Sequence, residues 1–526
     1  MVVAAVSLLA LAGAAPAAAE PWWQVTSGAA PRNLPHGGQG NITVVATNLG
    51  DTEALGEVAP VTVADKLPLG LTATAISLFR TGGKTRSEIA SESACSLSSL
   101  SCSFTGDFQP YENIELVIAV HVEPSASSGE VNEAAVVGGG APSASARQPI
   151  TVNDEPTPYG VENYELTPEN EDGSLATQAG SHPFQLTTTI ALNRGPETIK
   201  DGFFDTGRLG PSGPGLTKDL HFNLPPGLIG NPTPFPQCTD RGFGEISDRN
   251  LERSPETGCP LDTVVGVAHV TVFEPRSVGF LSQSVPLFNL TPNVGEPAKF
   301  GFKFENVPVI LDTAVRTGGD YGVVVSVNNI PEVVNFLSSQ VTFWGVPGDP
   351  RHNQSRGYDC VNSVVEKNAL HETCVPPPPE EYPAPLLTLP TSCTGSLRTS
   401  VEADSWTREG VFTSLEPVFE EALDGCNRLG FEPSISVVPD GRAGSTPTGL
   451  TVGVHVPQDA SLNPVGLAGS TVKEVTVVLP AGVVVNPAVA DGLQSCGLGE
   501  IGLESPGEQS CPEAAKIATV EIKTPL

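Results

Sequence analysis

Basic side chains are scarce in this chain. Lys and Arg number 27 against 59 Asp and Glu, a formal net charge of −32 over 526 residues. The cations are scattered, so no basic face exists to neutralise phosphates, which excludes nucleic acid as a partner. Anionic membrane surfaces are disfavoured for the same reason. Aromatic residues make up only 6%, thin material for the aromatic-lined cleft of a carbohydrate-active enzyme. Long Ala/Glu/Lys/Leu stretches are nearly absent, which excludes a helix bundle. No Gly-x-Ser-x-Gly, His-Glu-x-x-His or phosphate-binding glycine loop occurs, so no catalytic residue and no cofactor is assigned. There is no Cys-x-x-Cys, and no His completes a standard zinc cluster.

What is present points to strands. With 55 glycines, 50 prolines and only 16% charged residues, and with Val and Thr abundant, the composition is that of an all-β protein. At about 150 residues per domain the length allows three to four domains. One phrase recurs: Leu67-Pro68-Leu69-Gly70-Leu71, Leu224-Pro225-Pro226-Gly227-Leu228 and Leu479-Pro480-Ala481-Gly482-Val483. The second and third copies run on to Asn231-Pro232 and Asn486-Pro487, then to a Cys-Pro step at Cys259 and Cys511. Each copy follows an apolar, strand-like run, so the phrase reads as a turn with Pro second and Gly fourth. A recurring strand–turn unit implies repeated supersecondary modules.

The first nineteen residues, an apolar run from Val2 to Leu11 followed by Ala17-Ala18-Ala19, read as a secretory signal cleaved before Glu20, although no Lys or Arg precedes the apolar core. A spanning helix is the weaker reading, because the run is short and rich in Ala. Ten cysteines fall into five local pairs: Cys95/Cys102, Cys238/Cys259, Cys360/Cys374, Cys393/Cys426 and Cys496/Cys511. An even count in an exported chain implies disulfides, with nearest-neighbour pairing as the working hypothesis.

Along the chain, Ile114, Leu116, Ile118, Val120 and Val122 alternate with their neighbours, the mark of a strand with one core face. The ordered pieces VTVVATNLGDTEA, VTVADKLPLGLTATAIS, CSLSSLSCSFTGDFQPYENIELVIAVHV and GEVNEAAVVGG resemble the bacterial conserved repeat domain over about residues 38–153. The resemblance implies an immunoglobulin-like sandwich in a secreted or cell-wall protein, and supplies no functional residue. The remainder resembles large uncharacterised secreted repeat proteins of high-GC actinobacteria.

The expected fold is thus a tandem of immunoglobulin-like or β-sandwich modules: residues 20–153, then 157–350, an irregular Pro-rich linker at 351–390, and a last module at 391–526. That last module repeats the pattern of 217–275 over 472–525 and looks incomplete, and Thr471–Leu479 should be a strand. The acidic stretch from Asn153 to Gly173 reads as a linker between modules. Helix is expected mainly at Phe419–Asn427.

Few constellations could carry chemistry. His352, Asn353, Gln354, Ser355, Arg356 and Asp359 form the densest polar cluster, which reads as a surface loop. His121, His221, His269 and His455 read as solvent-facing or capped strand residues. Glu162, Glu165, Glu169, Glu171 and Asp172 offer oxygens that Ca²⁺ could use but lack an EF-hand pattern, so a solvated acidic segment is the plainer reading. Trp344 and Trp406 read as core. The function implied is that of a non-enzymatic secreted or cell-surface structural or adhesive protein, meeting cell-wall or extracellular polymers or proteins. The alternative is a carbohydrate-binding protein or hydrolase with accessory β modules.

Overall fold

A computed structural model describes residues 20–81, 86–89, 93–199, 209–211, 214–245, 258–274, 279–317, 319–361, 383–484, 492–502 and 509–523. The expected signal segment, Cys374 and the Pro376–Pro379 run lie outside the described residues. The fold is all-β.

The first module is a sandwich of two antiparallel sheets. One sheet orders Trp23–Ala30, Gln39–Asn48, Asn113–Val122, Leu71–Thr81 and Arg86–Glu88; the other orders Ala141–Pro149, Val131–Gly138, Val61–Lys66, Ser101–Phe104 and Ser93–Ser96. The alternation foreseen in Asn113–Val122 is realised: Ile114, Leu116, Ile118, Val120 and Val122 are all buried between the sheets. Trp23, Phe104 and Phe108 pack edge-to-face or tilted across the same core.

The acidic stretch does not remain a linker. Val161–Glu169 is a strand, antiparallel to Gln185–Leu192. Its acidic residues mask an alternating pattern in which Tyr164 and Leu166 are buried. From it an eleven-stranded antiparallel sheet continues through Gln185–Leu192, Asn335–Trp344, Val264–Glu274, Gly279–Leu290, Lys299–Phe304, Val307–Val315, Val323–Val327, Thr217–Asn223, Ser400–Ser405 and Arg408–Leu415. The last two strands lie beyond the Pro-rich segment, so this sheet draws on both sides of 351–390. The reason is pairing: Thr217–Asn223 has two open edges and takes Val323–Val327 on one and Ser400–Ser405 on the other.

The sheet rolls until its ends meet. Tyr159 Oη donates to Asp404 O at 2.7 Å, and Tyr164 Oη lies 2.7 Å from Thr399 Oγ1. Phe300 and Phe343, from strands well apart in the order, touch across the interior at 4.9 Å. The two layers of this module are thus opposite walls of one rolled sheet.

The recurring phrase adopts one geometry three times. Leu71, Leu228 and Val483 donate to the carbonyls of Pro68, Pro225 and Pro480, and Gly70, Gly227 and Gly482 have φ of +88°, +83° and +102°. Pro is therefore first in the turn and Gly third, the position where a type II turn needs φ > 0. Each thus sits one step earlier in the turn than the sequence suggests.

After residue 429 the chain packs little. Ser434–Pro439 and Leu450–His455 form a hairpin exposed on both faces, and Thr471–Leu479 is not a strand. Among the described residues no neighbouring strand pairs with it, unlike Thr217–Asn223 in the earlier copy. Phe419–Asn427 is not helical: Val418–Ala422 is a strand pairing with Ser396–Arg398, and Cys426–Arg428 is a single 3₁₀ turn.

Candidate functional site

The outer faces of several rolled-sheet strands are polar yet uncharged. His269 and Thr271 share one strand, Ser282 and Ser284 the next, Gln340 and Thr342 a third, Thr187 and Thr189 a fourth. Most of these are buried, because this wall packs against the sandwich. Here Asn113 Nδ2 lies 2.8 Å from His269 Nε2, His269 Nδ1 is 2.8 Å from Ser284 Oγ, and that hydroxyl donates to Tyr111 O at 3.0 Å. Burial pushes the His269 imidazole down to about 4, so it is neutral. An amide donating to Nε2, which Ser282 Oγ also approaches at 2.8 Å, leaves the single proton on Nδ1 for Ser284, and both ring nitrogens have partners.

Further bonds cross the same joint. Trp344 Nε1 donates to Tyr111 Oη at 3.0 Å, Gln185 Nε2 to Leu49 O at 3.3 Å, and Gln24 Nε2 to Glu165 Oε2 at 3.3 Å. Gln340 Nε2 donates to Gln24 Oε1. Ala29 N donates to Glu162 Oε1 at 3.1 Å, and Arg32 lies 3.6 Å from the same oxygen. Burial raises the Glu162 carboxyl, while Arg194 and Arg32 pull it down. The arrangement can hold two bodies in fixed register.

The candidates named from sequence disperse. His352 is no surface residue: it is 3% exposed and stacked on Trp344 at 4.6 Å, with Phe184 at 4.8 Å. Desolvation lowers its imidazole to about 3. Arg356 is buried too, donating to Val264 O at 2.9 Å with its guanidinium over Trp344. The polar cluster was misread because a short 3₁₀ turn, Pro350–Ser355, tucks its polar letters onto an aromatic wall. His269 is buried rather than solvent-facing, with both ring nitrogens capped by hydrogen-bond partners. Trp344 is core as expected, and Trp406 is half-buried with Nε1 donating to Ile330 O.

The acidic residues do not converge. Glu162 faces Arg32, Glu169 is buried against Thr187, and Glu171 pairs with Arg351 at 2.9 Å. Among the described residues no group of His, Cys, Asp and Glu could hold a metal ion. Four cysteine pairs are disulfides, Cys95–Cys102, Cys238–Cys259, Cys393–Cys426 and Cys496–Cys511. Cys360 is also disulfide-bonded. Sequence reasoning missed Gln24, Tyr111, Asn113 and Gln340. The signal was there: a strand face that is polar but carries no charge suits a buried hydrogen-bonded joint better than open water.

No family model matches this chain, and no curated protein does. Among solved structures, the chain is similar to BcpA, the major pilin subunit of Bacillus cereus, at 12% identity and a TM-score of 0.20, covering 36% of this chain and 62% of the pilin. The chain thus spans under two thirds of that pilin's length. It is also similar to the C-terminal domain of the Streptococcus agalactiae AgI/II polypeptide BspA, at 8% identity, a TM-score of 0.19, and 76% and 98% coverage. A partial N-terminal region of an enterococcal surface protein matches at 9% identity and a TM-score of 0.20, covering 79% of this chain and 98% of that one. No residue role is carried over from any of them. Among the described residues no helix is long and apolar enough to cross a membrane.

Proposed function

We propose that this chain is a non-enzymatic, secreted or cell-surface structural or adhesive protein, which acts by presenting surfaces at fixed geometry. The carrying observation is the joint itself. The Asn113–His269–Ser284–Tyr111 relay and the Tyr111–Trp344 bond spend their polar groups on locking the sandwich to the rolled sheet. The disulfides fit an oxidising compartment. On this reading the sandwich over about residues 38–153 is a conserved repeat domain, and the rolled sheet with its added strands is the second module. A carbohydrate platform is less favoured, since Trp22, Trp23 and Trp344 are buried.

The test couples the purified protein to beads and measures their retention on isolated cell-wall polymers and extracellular proteins. Turnover of glycan and ester substrates is assayed in parallel. Retention without turnover is the expected result. Turnover that a single His or carboxylate substitution abolishes would overturn the proposal.

A further inference from the structure

The rolled sheet encloses a cavity of about 250 Å³. Its walls follow the two-residue period of the strands. Phe300, Phe302, Val309, Leu311, Val325 and Val327 face in, while the intervening Lys303, Asp312 and Ser326 belong to the outer face. A membrane-spanning barrel has the reverse pattern, apolar outside and polar within. A barrel of about eight strands is just wide enough for its own side chains or one small ligand. This sheet has eleven strands, so an interior lined by Val, Leu and Phe leaves space over. A cavity of roughly 150 Å³ lined by such residues stays dry and accepts benzene; this one is larger.

The cavity has a closed end and a mouth. Phe304 pairs with Val307, Leu281 with Val272, and Val272 with Phe336, which sets the Glu305–Asn306 turn, Leu281 and the loop before Phe336 at the same end of the strands. Val333 in that loop is 64% exposed. At the far end Leu228, Leu386 and Leu387 are buried beneath the interior. The polar lining is sparse, and Thr313 spends its hydroxyl on Ala298. A sugar or peptide would find too few partners there and leave its own polar groups unsatisfied. Glu332 stands in the loop before Phe336 and Lys218 on the strand beside it, with Ile330 N donating to Lys218 O at 2.8 Å, while Lys303 is turned outward, donating to Glu245 O.

We propose that the rolled sheet is a binding site for one linear aliphatic chain, inserted through the Val333 end with a head group that is not anionic left in water. Apolar area supplies the attraction, and the net charge of −32 repels a carboxylate or phosphate head.

The experiment titrates the full chain with phenylnaphthylamine, a neutral fluorophore that brightens in apolar surroundings, and displaces it with dodecanol or laurate at low salt. One saturable site per chain is expected, displaced by dodecanol at least tenfold more effectively than by laurate. Val325→Phe, which fills the interior, should weaken probe binding at least tenfold, whereas Val324→Phe, on the opposite face of that strand, should leave it intact. If Val325→Phe does not fold, Val309→Phe replaces it. Dodecanol should also raise the melting temperature of the unaltered protein with the logarithm of its concentration. Absence of saturable binding, absence of that shift, or undiminished binding in the filled variant would each overturn the site. Laurate binding as well as dodecanol would overturn the head-group assignment.

Discussion

Glu169 shows how burial sets a charge state. Its carboxyl accepts from Thr187 Oγ1 at 2.8 Å, yet desolvation pushes it up to about 8. The folded protein therefore holds a proton that the unfolded chain releases near 4.5, and stability falls as pH rises through that window. His269 and His352 act in the opposite sense. Their folded values of about 4 and 3 lie below the ordinary 6.5, so unfolding takes up protons and stability rises with pH until about 6.5. Above that only Glu169 of the three still titrates. Denaturant unfolding should show a loss of up to about 2 kcal/mol between pH 6.5 and 8, and Glu169→Gln should flatten it. A decline that persists in that variant would place the titrating group elsewhere. His352 supports a second expectation. Its ring fills a slot between Trp344 and Phe184, so His352→Ala should cost about 3 kcal/mol in denaturant unfolding, as other aromatic truncations do. His352→Phe should be close to neutral, and equal losses in both variants would mean that the ring's polarity matters, not its volume.

At the scale of elements, the Cys238–Cys259 bridge anchors the segment that carries the turn at Phe235 and the helix Asp240–Gly244. Cys238 N donates to Asn289 O at 2.8 Å, and buried Asn289 donates to Pro232 O and Pro236 O. The bridge closes a loop with a sequence separation of 21, for which the chain-entropy account gives about 3 kcal/mol. Replacing both cysteines by Ala should lower stability by that amount; no change in the denaturation midpoint would show that the loop is held by Asn289 alone. Elements of this kind differ in how plainly they announce themselves. Asn113–Val122 could be read directly because one face is wholly apolar and the other is not. Val161–Glu169 could not, since its glutamates look like a solvated linker until Arg32 arrives from a distant part of the chain and Thr187 from the next strand. Thr471–Leu479 failed in the other direction: the pattern is strand-like, but a strand needs an edge to pair with, and pairing is not written in local sequence. The joint was least legible of all, because Asn113 and His269 stand 156 positions apart.

For the whole molecule, the question is whether sandwich and rolled sheet unfold as one body. Trp22, Leu49 and Tyr111 belong to the sandwich side, yet they pack into the core of the rolled sheet, and Tyr111 binds Trp344 there. Separating the two bodies would expose this apolar surface and strand buried Asn113, buried Gln185 and buried Glu162 without their partners across the joint. Each unsatisfied group costs about 1–3 kcal/mol, so partial unfolding at the joint is disfavoured relative to complete unfolding. Native-state hydrogen exchange should therefore give the most protected amides of Asn113–Val122 and Val264–Glu274 the same opening free energy. Asn113→Ala removes one donor of the relay and should lower both values together, by about 1–3 kcal/mol. A variant that lowers protection in the sandwich strand alone would show two independently folding modules on a soft connection, and the fixed geometry on which a structural role depends would be lost.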